Sequence, residues 1–117
     1  MTGRSTAMIK KYLLTKCRLK EEELQYNFEW DPKKAKTNIK KHKVSFEQAA
    51  TIFKDPRAIS IYDYMHSDNE DRWVTLGLAS NGSLLVVNHT FKQLDNNNAV
   101  IRIISSRKAT KRELTQH

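Results

Sequence analysis

The stretch Ala99-Val-Ile-Arg-Ile-Ile-Ser-Ser-Arg-Lys-Ala-Thr-Lys-Arg-Glu113 is decisive for the fold, because an apolar β-branched strand runs directly into a basic segment that favours a helix. A strand holds its side chains in fixed directions, so Arg102, Arg107 and Lys108 can be held near a common anion, and a phosphate group suits that arrangement. The alternative is an ordinary hydrophobic strand followed by a solvated amphipathic helix. This segment alone leaves both interpretations open.

Three segments upstream are also rich in β-branched, aromatic or leucine residues and predict strands at 58–62, 72–79 and 84–90. A polar loop, a Ser80-Asn-Gly82 turn and an Asn-rich loop at 92–98 separate the four strands. Strands joined in this way form an antiparallel sheet.

The alternating segment Tyr26-Asn-Phe-Glu-Trp30 predicts a short strand at which the domain begins. We therefore assign residues 1–25 to an N-terminal extension, weakly ordered or forming a loosely docked helix, and residues 26–117 to the domain. Asp31-Pro32 is a helix start, and the helix to about residue 41 is basic and exposed, with Ala35 and Ile39 as its buried stripe.

Ser45-Phe-Glu-Gln48 predicts a capping box that opens a second helix, which Asp55-Pro56 ends. The predicted fold is α+β. It has a small antiparallel sheet of four to five strands, two N-terminal helices on one face and a short C-terminal helix.

The net charge of +8 over 117 residues predicts a polyanionic partner, with nucleic acid first and an acidic protein surface as an equal complement in charge. Cys17 is the sole cysteine, and no run approaches a membrane span or a secretory signal, so we expect a soluble cytoplasmic protein. The four histidines show no metal-binding spacing, and no phosphate-binding glycine loop occurs. The sequence therefore predicts no metal or cofactor.

The segment His66-Ser-Asp-Asn-Glu-Asp-Arg-Trp73 gathers an imidazole, carboxylates and a guanidinium at the entrance to a strand. RNA cleavage needs a base for the 2′-hydroxyl, an acid for the leaving 5′-oxygen and fixed cations, and a metal is not obligatory. The alternative is a polar loop in which Glu70 and Arg72 form a weak surface ion pair. A lysine run at 33–43 is either a solvated helix face or a track for phosphates.

Three motifs in order resemble the BrnT family of ribonuclease toxins from type II toxin–antitoxin systems, over residues 26–113. They are the segment 28–49, His66-Ser-x-x-Glu-x-Arg-Trp73, and Ile101-Arg-Ile-Ile-Ser-x-Arg-Lys-Ala-Thr-Lys-Arg-Glu113. The resemblance implies a RelE-like fold, an RNA substrate, and a BrnA-like DNA-binding antitoxin that neutralises the toxin and with it represses their operon.

Carried onto this sequence, the resemblance places His66, Glu70 and Arg72 in the family's loop motif, and Arg102, Arg107 and Lys108 in its last strand and turn. Our hypothesis for the catalytic residues is that His66 or Glu70 transfers protons while Arg102 and Arg107 bind the scissile phosphate. The same hypothesis gives RNA binding to five further cations: Arg72, Lys92, Lys108, Lys111 and Arg112. One departure is Thr90-Phe-Lys92, where the family pattern has Thr-x-Arg, because lysine cannot make the two-point contact of arginine. Two alternatives stay open: a non-catalytic nucleic-acid-binding or corepressor module, and a purely structural interaction domain.

Overall fold

The computed structural model describes residues 24–67 and 69–116, which form an α+β fold built on a mixed six-stranded sheet. The prediction for residues 1–25 falls almost entirely outside this range. In chain order the elements are β1 (Gln25–Trp30), α1 (Pro32–His42), α2 (Phe46–Ala50), a 3₁₀ turn (Thr51–Lys54), β2 (Ile59–Tyr62), a 3₁₀ turn (Tyr64–His66), β3 (Arg72–Leu78), β4 (Leu84–Thr90), β5 (Lys92–Gln93), β6 (Asn98–Lys108) and α3 (Lys111–Leu114).

The strand order is β1-β6-β4-β3-β2, with the short β5 also paired to β6. The predicted antiparallel pairs are present between β2 and β3, β3 and β4, and β4 and β6. The sheet is nevertheless mixed, because β1 pairs with β6 in parallel, from Gln25 opposite Asn98 to Trp30 opposite Ile103. After β1 the chain passes through α1 and α2 before it enters β2, so the first two strands lie at opposite edges.

The predicted packing of the helices on one face of the sheet is confirmed by the core. Phe46 and Ile52 from the helical layer are fully buried against Leu85, Val87, Ile101 and Ile103 of the central strands. The helical layer approaches β3 so closely that a Cβ on Gly77 would lie 2.9 Å from the Cβ of Ile52. No larger residue fits at position 77 without displacing that layer.

Asp31 and Ser45 cap α1 and α2 as predicted, and their side chains accept hydrogen bonds from the amides of Lys33 (2.9 Å) and Gln48 (3.1 Å). The full capping box predicted at Ser45 does not form, since the Gln48 amide group bonds the hydroxyl of Ser80 instead. Within the described ranges, no helix combines the length and apolarity needed to cross a bilayer.

The predicted buried stripe of α1 is wrong in one position. Ile39 is 47% exposed, whereas Asn38 is buried. The Asn38 side chain makes three hydrogen bonds: it donates to the carbonyls of Val44 (2.9 Å) and Ser106 (2.8 Å) and accepts from the Ser106 amide (3.0 Å). Because β1 ends opposite Ile103, Ser106 has no strand partner on that edge. Asn38 satisfies both backbone groups in its place.

Candidate functional site

Arginines from two strands share the sheet face turned away from α1 and α2, which we call the outer face. A β-bulge makes this possible on β6. His89 pairs with Ile103, but Asn88 pairs with Ser105, so one extra residue lies between them in β6. Strict alternation would send Arg102 and Arg107 to opposite faces, and the bulge brings both to the outer face.

The outer face holds a carboxylate between two guanidinium groups. Arg72 lies opposite Thr90, and the Thr90 hydroxyl accepts a hydrogen bond from the backbone amide of Arg102 (3.2 Å). Arg72 and Arg102 therefore flank the end of β4. Oε2 of Glu70 accepts hydrogen bonds from both side chains, with Arg72 at 3.4 Å and Arg102 closer. All three side chains are partly exposed, at 36–41%.

The loop that carries Glu70 is fixed by its own hydrogen bonds. The Asp63 amide donates to the Arg72 carbonyl (2.8 Å), and the Ser67 hydroxyl accepts from the Arg72 amide (3.0 Å). Tyr62 donates its phenol hydrogen to Asp71 (3.0 Å). These bonds hold the loop at the start of β3, beside the end of β4.

His66 occupies the same loop but does not contact the Glu70 cluster through a hydrogen bond. Its Nδ1 pairs with the Asp63 carboxylate at 2.9 Å, and its side chain is 67% exposed. That contact orients the ring and leaves Nε2 directed away from Asp63, available to an incoming group.

Arg107 lies further along β6, five residues from Arg102, which is roughly 16 Å at the ordinary rise of a strand. It does not share an anion with Arg102, because its guanidinium binds Glu113 in α3 through two hydrogen bonds of 2.9 and 2.8 Å. The bond from Arg107 lowers the pKa of Glu113 to about 2, helped by the Thr110 amide. The same pair raises the pKa of Arg107.

The remaining predicted cations lie around these two arginines. Lys92 stands opposite Val100, two residues before Arg102 on β6. Lys108 ends β6 opposite Leu85 and, as the residue after Arg107, belongs to the other face of the strand. Lys111 and Arg112 are exposed on α3. The structure thus brings Glu70, Arg72 and Arg102 into contact. Lys108, Lys111 and Arg112 lie away from this cluster, near Arg107.

Sequence reasoning missed three contributors: Asp63, Thr90 and Glu113. Only Glu113 had a readable signal, since Thr110-x-x-Glu113 is a capping-box pattern, and that box does form. Asp63 and Thr90 act through contacts that depend on the loop conformation and on strand pairing. In the described part of the chain, no three His, Cys, Asp or Glu side chains are grouped so as to bind a metal ion.

Comparison with known proteins gives a family match and a structural match. The model of the BrnT family, the ribonuclease toxin of type II toxin–antitoxin systems, matches residues 30–113. The crystal structure of the Brucella abortus ribonuclease toxin BrnT is similar, with a TM-score of 0.51 and 21% identity. The match covers 74% of this chain and 100% of that one, and at this identity it shows the fold alone. No curated protein matches the chain.

Proposed function

Since this chain belongs to the BrnT family of ribonuclease toxins, we propose that it cleaves RNA on the outer face of the sheet, without a metal ion, using the loop 63–71 and the arginines of β3 and β6. The observation that carries the proposal is the Glu70 carboxylate held between Arg72 and Arg102. A scissile phosphate would take the place of that carboxylate on the two guanidinium groups, which match an anion with two oxygens.

Glu70 and His66 are the proton-transfer groups of the proposed reaction. Glu70 removes the proton of the 2′-hydroxyl, and the 2′-oxygen then bonds to phosphorus while the bond to the 5′-oxygen breaks. His66 gives its proton to that leaving oxygen. The products are a 2′,3′-cyclic phosphate and a 5′-hydroxyl. Both residues lie in one short loop whose ends are bonded together, which supports their joint action.

The positive charge of the site comes from the protein itself. Arg72 and Arg102 face the developing charge on phosphorus, and Arg107 with Lys92 extends the cationic track along β6. Fixed guanidinium groups stabilise a charged transition state without the reorganisation that water requires. This supports a reaction that proceeds without a metal.

Control of the activity follows from membership of a type II toxin–antitoxin family. We propose that a BrnA-like DNA-binding antitoxin covers the outer face in the cytoplasm, and that the complex binds operator DNA. The net charge of the chain, +8, favours an antitoxin segment that is acidic where it meets the arginines.

The proposed activity is tested with purified protein and a single-stranded RNA in excess EDTA, with analysis of the product termini. Wild type is expected to leave 2′,3′-cyclic phosphate ends. Glu70→Gln and Arg102→Ala are each expected to lower the cleavage rate by about 10²- to 10³-fold. Lys54→Ala, an exposed cation of the helical layer, is the matched control and keeps the wild-type rate.

Two results would overturn the proposal. Loss of wild-type cleavage in EDTA with recovery in excess Mg²⁺ would make the reaction metal-dependent. A wild type that binds RNA and antitoxin yet leaves RNA intact would make the protein a non-catalytic nucleic-acid-binding or corepressor module.

A further inference from the structure

A groove of about 260 Å³ runs between α1 and the edge of β6, on the helical side of the molecule. Its walls are one face of α1 and two residues of the β6 bulge region. The lining residues are Lys33, Lys34, Thr37, Asn38, Lys41, His42, Ile104 and Ser105. The groove exists because β1 stops opposite Ile103, and beyond that point α1 lies beside β6 in place of a strand.

The groove is cationic. Three lysines and a histidine line it, and the described residues that form its walls include no carboxylate. The helical period explains this grouping, because positions 33, 37 and 41 and positions 34, 38 and 42 form two adjacent rows on one side of α1. Asp31, the nearest acid in sequence, accepts a hydrogen bond from the Lys33 amide and serves as the helix cap.

The groove also has a fixed floor. Thr37 and Ser105 line it with hydroxyl groups held by the protein: the Thr37 hydroxyl donates to the Lys33 carbonyl (3.1 Å), and the Ser105 hydroxyl accepts from Asn88 (2.7 Å). Asn38 is buried and uses its amide group on Ser106 and Val44, so it holds the wall in place. Lysines spaced along a rigid groove suit a chain of phosphates rather than a single apolar ligand.

We propose that this groove binds the phosphate backbone of single-stranded RNA beyond the cleavage site. It rests on the proposed ribonuclease function for the choice of polyanion. Ser105 connects the two regions. It lines the groove and lies between Arg102 and Arg107 on β6, and its hydroxyl accepts a hydrogen bond from Asn88 of β4 (2.7 Å). An RNA strand leaving the outer face crosses the edge of β6 at this point and continues along α1.

The test compares two double variants of the same helix. Lys34→Gln/Lys41→Gln removes two charges from the groove, and Lys36→Gln/Lys40→Gln removes two charges from α1 positions that do not line it. All four side chains are exposed, so both full-length proteins are expected to fold like wild type, as a thermal melt will verify. The probe is a fully 2′-O-methylated single-stranded RNA, which cannot be cut, with binding followed by fluorescence anisotropy over a series of salt concentrations.

The groove variant is expected to lose about two phosphate contacts. For a single strand this reduces the slope of log K against log salt by about 1.4, which is an affinity loss of about 25-fold at 0.1 M salt. The control double is expected to change affinity by less than about threefold. Equal losses in both doubles would mean diffuse attraction to the helix and would overturn the proposal, as would wild-type binding by the groove double.

Two further measurements complete the design. If the groove double loses affinity for a polyaspartate peptide but not for RNA, the groove fits an acidic protein segment and the proposal is wrong. Cleavage of unmodified RNA by the same proteins separates this inference from the proposed function. If wild type does not cut RNA and the groove double still binds RNA weakly, the groove assignment stands while the ribonuclease mechanism fails.

Discussion

Substitution of Arg107 and substitution of its ion-pair partner Glu113 distinguish two roles for Arg107 in RNA cleavage. If Arg107 only anchors α3, then removing either partner releases the helix and has the same effect on RNA cleavage. If Arg107 contacts a substrate phosphate beyond the scissile one, only its own removal matters, and Glu113 competes with the substrate for the guanidinium. The matched perturbations are Arg107→Ala and Glu113→Gln, since glutamine keeps the carbonyl oxygen that accepts from the Thr110 amide at 2.7 Å.

The structural effect of both changes is small. The Arg107 and Glu113 side chains are 40% and 26% exposed, so solvent screens the pair and its loss costs below about 1 kcal/mol. The melting temperature is therefore expected to fall by less than about 4 °C in each variant. The effect on substrate binding is larger for Arg107→Ala, because loss of one phosphate contact on a single strand lowers RNA affinity, and with it the cleavage rate at subsaturating protein, by about fivefold at 0.1 M salt. Glu113→Gln is expected to cut RNA at least as fast as wild type.

The assay is single-turnover cleavage of a labelled RNA, with circular dichroism to verify the fold of each variant. Equal loss of cleavage in the two variants would refute the role of Arg107 at the phosphate and leave it as an anchor for α3. Undiminished cleavage by a folded Arg107→Ala variant would refute it as well.

Two further predictions concern stability and titration. Asn38→Ala leaves the buried amide and carbonyl of Ser106 without partners, so we expect it to lower the free energy of unfolding by about 2–4 kcal/mol. The control Asn88→Ala removes one hydrogen bond and is expected to cost less than about 1.5 kcal/mol. Denaturant unfolding of both variants measures the difference. The carboxyl carbon of Glu113 is expected to titrate in NMR with a pKa of about 2, rising toward 4.5 in Arg107→Ala. Because the pKa of Glu113 is lower in the folded state than in the unfolded state, the stabilisation by this pair is complete above about pH 4.5 and is lost as the pH falls toward 2. An unchanged Glu113 titration in Arg107→Ala would contradict the assignment.

The bounds of the strands that have clear local sequence signals were predicted to within a few residues. The expected strands at 58–62, 72–79 and 84–90 are observed at Ile59–Tyr62, Arg72–Leu78 and Leu84–Thr90. The Ser80-Asn-Gly82 turn also forms, and Gly82 adopts the positive φ of 91° that favours glycine. Alternation and turn residues determine structure over a few neighbouring positions, so they can be recognised in the sequence without knowledge of tertiary contacts.

Features that depend on distant partners were not predictable in the same way. Alternation identifies β1 as a strand but does not select β6 as its neighbour or make the pairing parallel. The burial of Asn38 instead of Ile39 follows from the unpaired edge of β6, which is a property of the assembled sheet. In the candidate site, residue types predicted Glu70 and Arg102, while the separation of Arg102 from Arg107 and the occupation of Arg107 by Glu113 required the structure.

The extra residue in β6 has a consequence for how this strand tolerates change in length. A deletion of Ile104 would remove the extra residue and leave Arg102 and Arg107 four positions apart, so regular alternation would still direct both arginines to the outer face. An insertion of one residue after Ser105, with the bulge kept, would instead turn Arg107 toward the helical layer and separate Ser106 from Asn38. Among related sequences, a gain of one residue between Ser105 and Arg107 should therefore be selected against more strongly than the loss of the residue at position 104. The number of residues in the strand is as much a determinant of the site as their identity.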